Sequence, residues 1–263
     1  MNRIDLKFKQ LREKNEKAMI SFITAGDPDF ETTAKLVYAM EDGGADIIEL
    51  GVPYSDPIAD GATIQKSSAR SLKNGTTIKG IMDAVKTIRL NTEVPLVYLV
   101  YYNSVFKYGI ERFIAQCSVV GIDGIIIPDL PIEERKDILD IADKYEVALI
   151  PLIAPTSKER IEKIVKNASG FIYCVSTNGV TGTRTEIDTD MKAYMDTVSK
   201  ITDIPKAIGF GISSAAMAKE LKPYCDGIII GSAIVKKVDE TENGEEMLEN
   251  VKNFVNEVKQ AIS

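Results

Sequence analysis

Short apolar runs and helix-period stretches alternate from one end of this chain to the other, and that alternation restricts the fold more than any other feature. Eight runs read as strands, at about 18–23 (AMISFI), 46–50 (DIIEL), 95–101 (PLVYLVY), 124–128 (GIIIP), 147–152 (VALIPL), 170–175 (GFIYCV), 206–209 (KAIG) and 227–230 (GIII). Most are apolar at consecutive positions, the pattern of parallel strands covered by helices on both faces. Between them apolar residues recur at helical spacing, as in Ile110, Phe113, Ile114 and Cys117. The last segment repeats the pattern with Met247, Val251, Phe254, Val255, Val258 and Ile262. Eight β-then-α units without a Gly/Ser- or Pro-rich linker predict an α/β fold: a single (β/α)8 TIM barrel forming one domain over residues 1–263. A doubly wound open sheet is the structural rival.

Three stretches exceed the minimal barrel. Residues 1–17 read as an extra N-terminal helix, and long βα loops follow the second strand (51–76) and the sixth (176–189). Both loops belong to the end of a barrel where active sites form. Three segments also resemble one another: GGADIIELGVP, VGIDGIIIPDL and YCDGIIIGSA. Each sets an acidic residue before a short buried strand, which supports repeated βα units.

Composition removes several classes of function. A net charge of −7 and a pI near 4.9 leave no broad surface to neutralise a nucleic-acid backbone. A small anion held by backbone amides stays open. The charged N-terminus MNRIDLKFKQLREKNEKAM lacks the apolar core of a signal peptide, and no run reaches the roughly 18–20 apolar residues of a membrane span, so a soluble, cytoplasmic protein is expected. Cys117, Cys174 and Cys225 form no CxxC pair and sit in apolar surroundings, as core residues do. The chain has no histidine. Ser–His–Asp and Cys–His catalysis are excluded with it, and acid–base work near neutral pH falls to Asp, Glu, Tyr, Lys or Cys.

Residues suited to that work stand on the loop side. STNGVTGTRTEIDTD (176–190) has the small, hydroxyl-rich composition of a lid, or of a tolerated surface loop. AIGFGIS (207–213) and IIIGSAI (228–234) each end a strand in glycine ahead of a helix start with a serine cap. Gly211 and Gly231 would let the backbone approach a ligand, and Ser232 would cap a helix whose amides face a phosphate; ordinary turn and cap chemistry is the alternative. Glu49 ends the second strand between apolar neighbours, which would desolvate it and raise its pKa toward that of a general acid or base. Asp60 follows on a loop stiffened by Pro53 and Pro57, either as a second carboxylate at the barrel mouth or as turn chemistry with Gly61. Tyr173 lines the pocket or fills the core.

The stretches ITAGDPD (23–29), ELGVPYSDPIADGATIQ (49–65), YYN (101–103), IIPDLPIEE (126–134), NGVTG (178–182), GFGIS (209–213) and GSAIV (231–235) together resemble the tryptophan synthase alpha subunits, in family order across essentially the whole chain. The resemblance implies retro-aldol cleavage of indole-3-glycerol phosphate to indole and glyceraldehyde 3-phosphate, a carbon–carbon lyase reaction without metal or Schiff base. It implies Asp60 at the indole N–H and Glu49 as the acid/base at indole C3 and the glycerol hydroxyl. Phe22, Leu99, Tyr101, Ile126, Tyr173 and Phe210 would line the indole pocket, and Thr181 on the lid would meet Asp60 on closure. Gly182, Gly211, Gly231 and Ser232 would hold phosphate. No cofactor is implied in this chain; pyridoxal phosphate belongs to a partner β subunit, which takes the indole within an α2β2 assembly. The segment around Asp56 and the YYNSVFKYG loop would face that partner.

Two departures stand out. The lid has Thr177 and Asn178 where many members carry a basic residue and an alanine, and YYNS replaces the common YYNP. A stand-alone lyase releasing free indole is the alternative within the same chemistry. A catalytically silent barrel and a different phosphate-binding barrel are the alternatives outside it, and the intact carboxylates and PYSDPIADG disfavour them.

Overall fold

Nine parallel strands succeed one another around the molecule in a computed structural model, which describes residues 2–131, 133–166, 168–175, 189–209, 211–241 and 244–263. They are β1 Ala18–Thr24, β2 Ile47–Gly51, β3 Leu96–Leu99, β4 Gly124–Ile126, β5 Ala148–Ile150, β6 Leu152–Ile153, β7 Ile172–Val175, β8 Lys206–Gly209 and β9 Gly227–Ile230. Their order is β5-β4-β3-β2-β1-β9-β8-β7-β6. The fifth expected strand is broken at Pro151, which has no N–H for a ladder. Its first half pairs with β4 and its second with β7. The Pro151 carbonyl itself accepts the Tyr173 N–H at 2.9 Å. The result is a nearly closed TIM barrel, with the open seam at the proline.

Side-chain parity sorts the strands into two layers. Ile20, Ile47, Val97, Ile126, Ile150, Phe171 and Ile229 fill the interior. Residues one step along, such as Met19, Ile48, Leu96, Ile125 and Ile228, meet the apolar stripes of the surrounding helices. The helix Arg3–Glu13 starts with a capping box, in which Asn2 accepts the Ile4 N–H at 2.8 Å and Asp5 accepts the Asn2 N–H at 3.3 Å. Its buried Ile4, Phe8 and Leu11 join the interior cluster from below, with Phe8 5.9 Å from the Phe171 ring. This is the expected extra helix, and it plugs the strand-start end.

The segment 51–76 differs from a bare loop. It contains a helix, Ala62–Lys73, that shows no apolar stripe because beside Ile64 it buries Ser67, Ser68 and Ser71. Ser67 Oγ meets Thr24 Oγ1 at 2.5 Å, and Ser71 donates to the Ala25 carbonyl at 2.6 Å. The expected long loop at 176–189 lies outside the described residues up to the helix Thr189–Ile201.

The three similar segments of the sequence share one device. Asp46, Asp123 and Asp226 each stand just before a strand and grip the first residues of the neighbouring one. Their carboxylates accept the N–H of Met19, Leu96 and Lys206, each at 2.9 Å. Their own N–H groups donate to the carbonyls of those same residues at 2.8, 2.8 and 2.7 Å. Asp123 also holds Arg89 at 2.7 Å and Arg3 at 3.0 Å. Asp123→Ala is expected to cost about 3–5 kcal/mol in urea unfolding, because Arg89 would stay buried with no countercharge.

Candidate active site

The parity that builds the interior also aims Glu49. Ile47 and Glu49 point inward on β2, and Glu49 stands opposite Phe22 on β1 and Val97 on β3. The side chain is buried, and Oε1 has no hydrogen-bond partner among the described residues. Burial alone pushes this carboxyl up to about 8. At neutral pH the group therefore holds a proton, as a general acid must.

Asp60 sits half-buried at the end of the loop that leaves β2. Burial raises its pKa, and a hydrogen bond from Tyr101 opposes the rise by favouring the ionised form. Tyr101 is fixed for this: its hydroxyl accepts the Ala59 N–H at 3.0 Å, and its ring stacks on Tyr54 with centroids 4.9 Å apart. The expected contrast between the carboxylates is thus present, although Asp60 is less solvated than a polar loop suggested. Tyr173, buried on β7, sits within electrostatic reach of both, since after burial the charges of Glu49 and Asp60 raise its pKa further.

Two glycines make room for the aromatic rings. A Cβ on Gly51 would lie 2.5 Å from the tip of Phe22, and one on Gly209 would lie 2.5 Å from the Tyr173 hydroxyl. Both glycines point inward at strand ends, where a larger side chain would push these rings across the barrel mouth. Leu99 and Ile126 complete the wall from β3 and β4. Ile64 and Val235 pack on Phe22 and Leu99 from the two rim helices. Sequence reading passed over Gly51, Ile64 and Val235, although IELG, GATIQ and GSAIV contain them, and read Gly209 only as the glycine that ends a strand.

At the end of β9, beside Phe22, Gly231 caps the helix Ser232–Glu240 with no side-chain hydrogen bond, so Ser232 is its first residue and not its cap. The Ile234 and Val235 N–H groups return to the Gly231 carbonyl at 2.9 and 3.0 Å. The first amides of such an uncapped helix have no intrahelical partner and suit an anion. Above Gly211 a Cβ would meet nothing within 4 Å among the described residues. Serine capping does occur one loop earlier, where Ser214 accepts the Met217 N–H at 3.3 Å. Thr181, Gly182 and Phe210 lie outside the described residues.

Other chemistries find less support. Cys117, Cys174 and Cys225 are free and buried, and burial pushes the Cys225 thiol up to about 12. Among the described residues no group of three or more His, Cys, Asp or Glu could hold a metal ion, and no helix is long and apolar enough to cross a membrane.

A family model described as tryptophan synthase alpha chain matches residues 8–263. A curated tryptophan synthase alpha chain from Clostridium kluyveri is 60% identical over 262 residues, covering 100% of both chains. A crystal structure of tryptophan synthase subunit alpha from Legionella pneumophila superposes with a TM-score of 0.91 at 31% identity, covering 100% of this chain and 98% of that one. The tryptophan synthase α2β2 complex of Pyrococcus furiosus contains a chain that superposes with a TM-score of 0.86 at 36% identity, over 92% of this chain and 98% of that one.

Proposed function

From a chain that belongs to the tryptophan synthase alpha chain family, we infer a lyase of tryptophan synthesis that cleaves indole-3-glycerol phosphate to indole and glyceraldehyde 3-phosphate. The observation that carries the mechanism is the buried, inward-facing Glu49, whose carboxyl is pushed up to about 8. Its proton goes to indole C3, which makes the ring a leaving group. Positive charge then develops on the ring nitrogen, and ionised Asp60 stabilises it through the indole N–H. As the C–C bond breaks, the Glu49 carboxylate takes the proton of the glycerol hydroxyl and the aldehyde forms. Glu49 ends as it began, so the cycle needs no outside base.

Phe22, Leu99, Tyr101, Ile126, Tyr173 and Phe210 would enclose the indole, and Gly182, Gly211, Gly231 and Ser232 the phosphate. The uncapped start of Ser232–Glu240 supports the phosphate assignment. Thr181 would reach Asp60 when the lid closes. Gly209→Ala is expected to lower kcat/KM for indole formation about 10- to 100-fold, because displacing Tyr173 misplaces the indole.

The partner is a tryptophan synthase β subunit, in an α2β2 assembly in which pyridoxal phosphate belongs to that subunit and indole passes to it. On the loop that carries Asp60, Asp56 is exposed and Ile58 is 80% exposed, and Phe106 beyond Tyr101 is 63% exposed. Tyr54 accepts from Asn103 Nδ2 at 3.2 Å, which links the two stretches. Contact there would act directly on Asp60. The test is indole formation from indole-3-glycerol phosphate with and without a β subunit. A strong rate increase with complex formation is expected; full activity alone with no complex would establish the disfavoured stand-alone lyase.

A further inference from the structure

Near the seam at Pro151 lies a cavity of about 200 Å³, bounded by Ile127 and Leu149 of the outer layer and by Ile150 and Leu152 of the interior cluster. It is larger than a trapped water needs and smaller than the roughly 300–1,000 Å³ of sites for drug-sized ligands. Its lining residues include Leu130, Leu149 and Leu152 together with Arg135, Arg160 and Ser157.

Arg135 is the unusual member. Its Nη2 donates to the Leu149 carbonyl at 2.6 Å, while its Nε is buried with no acceptor among the described residues. Burial pushes its pKa down to about 10, with no carboxylate among the described residues offsetting it. The other well-buried arginine, Arg89, has Asp123 at 2.7 Å. Desolvating a guanidinium without a countercharge is costly, and a carboxylate offers the bidentate partner its planar fork fits. Capping the Leu149 carbonyl at the seam explains Nη2. It explains neither the unmet Nε nor a second arginine lining the same cavity.

We propose that this cavity binds a small carboxylic acid with an apolar body, a single-ring or branched-chain acid, whose carboxylate takes Arg135 and Arg160 while its body packs on the leucines. Neither Glu49 nor Asp60 lines this cavity, and the proposal does not depend on the reaction assigned to them.

Benzoate titrated calorimetrically into the full-length protein tests this, with benzamide and inorganic phosphate as comparators. Saturable benzoate binding is expected, at least about tenfold weaker in Arg135→Gln and in Arg160→Gln, with benzamide and phosphate each weaker than benzoate. Crystals soaked in 4-bromobenzoate should place bromine among Leu130, Leu149 and Leu152. The proposal falls if benzoate does not saturate, if benzamide or phosphate binds as well, if Arg160→Gln leaves affinity unchanged, or if the bromine lies in the barrel mouth. Should Arg135→Gln fail to fold, Arg160→Gln and Ser157→Ala carry the same comparison.

Discussion

Glu49→Gln is expected to reduce kcat for indole formation by about 10²–10⁴-fold, the usual worth of a general acid–base group, and at the same time to stabilise the barrel above pH 5. The second effect follows from the first. In the fold the Glu49 carboxyl titrates at about 8, against an ordinary value near 4.5. Between those two pH values the native state keeps a proton that the unfolded chain has released, so stability falls as pH rises. Below about 4.5 both states are protonated, and above about 8 both are ionised, so the penalty grows only within that window. At about 1.4 kcal/mol per pH unit, the wild-type protein gives up on the order of 5 kcal/mol across that window that glutamine does not. Urea unfolding of both proteins at pH 5 and pH 8.5 measures the difference. Equal pH dependence would show that Glu49 does not hold its proton in the fold. The wild-type kcat/KM should also decline above about pH 8, as the acid is lost.

Asp60→Asn is expected to lower kcat by about 10²–10³-fold, with a smaller change in KM. Asparagine keeps the size and the contact with Tyr101 but removes the negative charge that meets the developing cation. Steady-state indole formation is the measurement, and unchanged turnover would remove Asp60 from the reaction. Tyr101→Phe gives a graded version. Because the hydrogen bond from Tyr101 opposes the burial that raises the Asp60 pKa, removing it lets that pKa rise. Activity requires the ionised form and fails as pH falls through the pKa, so the acid limb of the pH–rate profile should move to higher pH.

Strand positions were legible because strands covered on both faces leave continuous apolar runs, and the observed ends differ from the expected ones by two residues at most. The break at Pro151 was not read from VALIPL, because an apolar run with a proline still reads as one strand. The helix Ala62–Lys73 was hidden for a different reason, since apart from Ile64 its buried face is made of serines, of which Ser67 and Ser71 bond to β1 and the turn after it. Glu49 stood out as a charge among hydrophobes, and the parity of β2 turns it inward. Ile64 and Val235 were not legible, because nothing local distinguishes an aliphatic residue packed on Phe22 from one packed in any other core. Their role depends on two rim helices meeting over the same ring.

The three aspartates at the strand starts have a further consequence. They fix strand register at the end of the barrel away from Glu49 and Asp60, with no contact shared between the two sets. Changes at distant, unshared sites add nearly independently. The rim is in effect an interchangeable module on a clasped base. The exposed rim residues Ser55, Asp56 and Ile58 can therefore be randomised while the base keeps the strands in order, and the variants recovered would be sorted by chemistry more than by whether they fold.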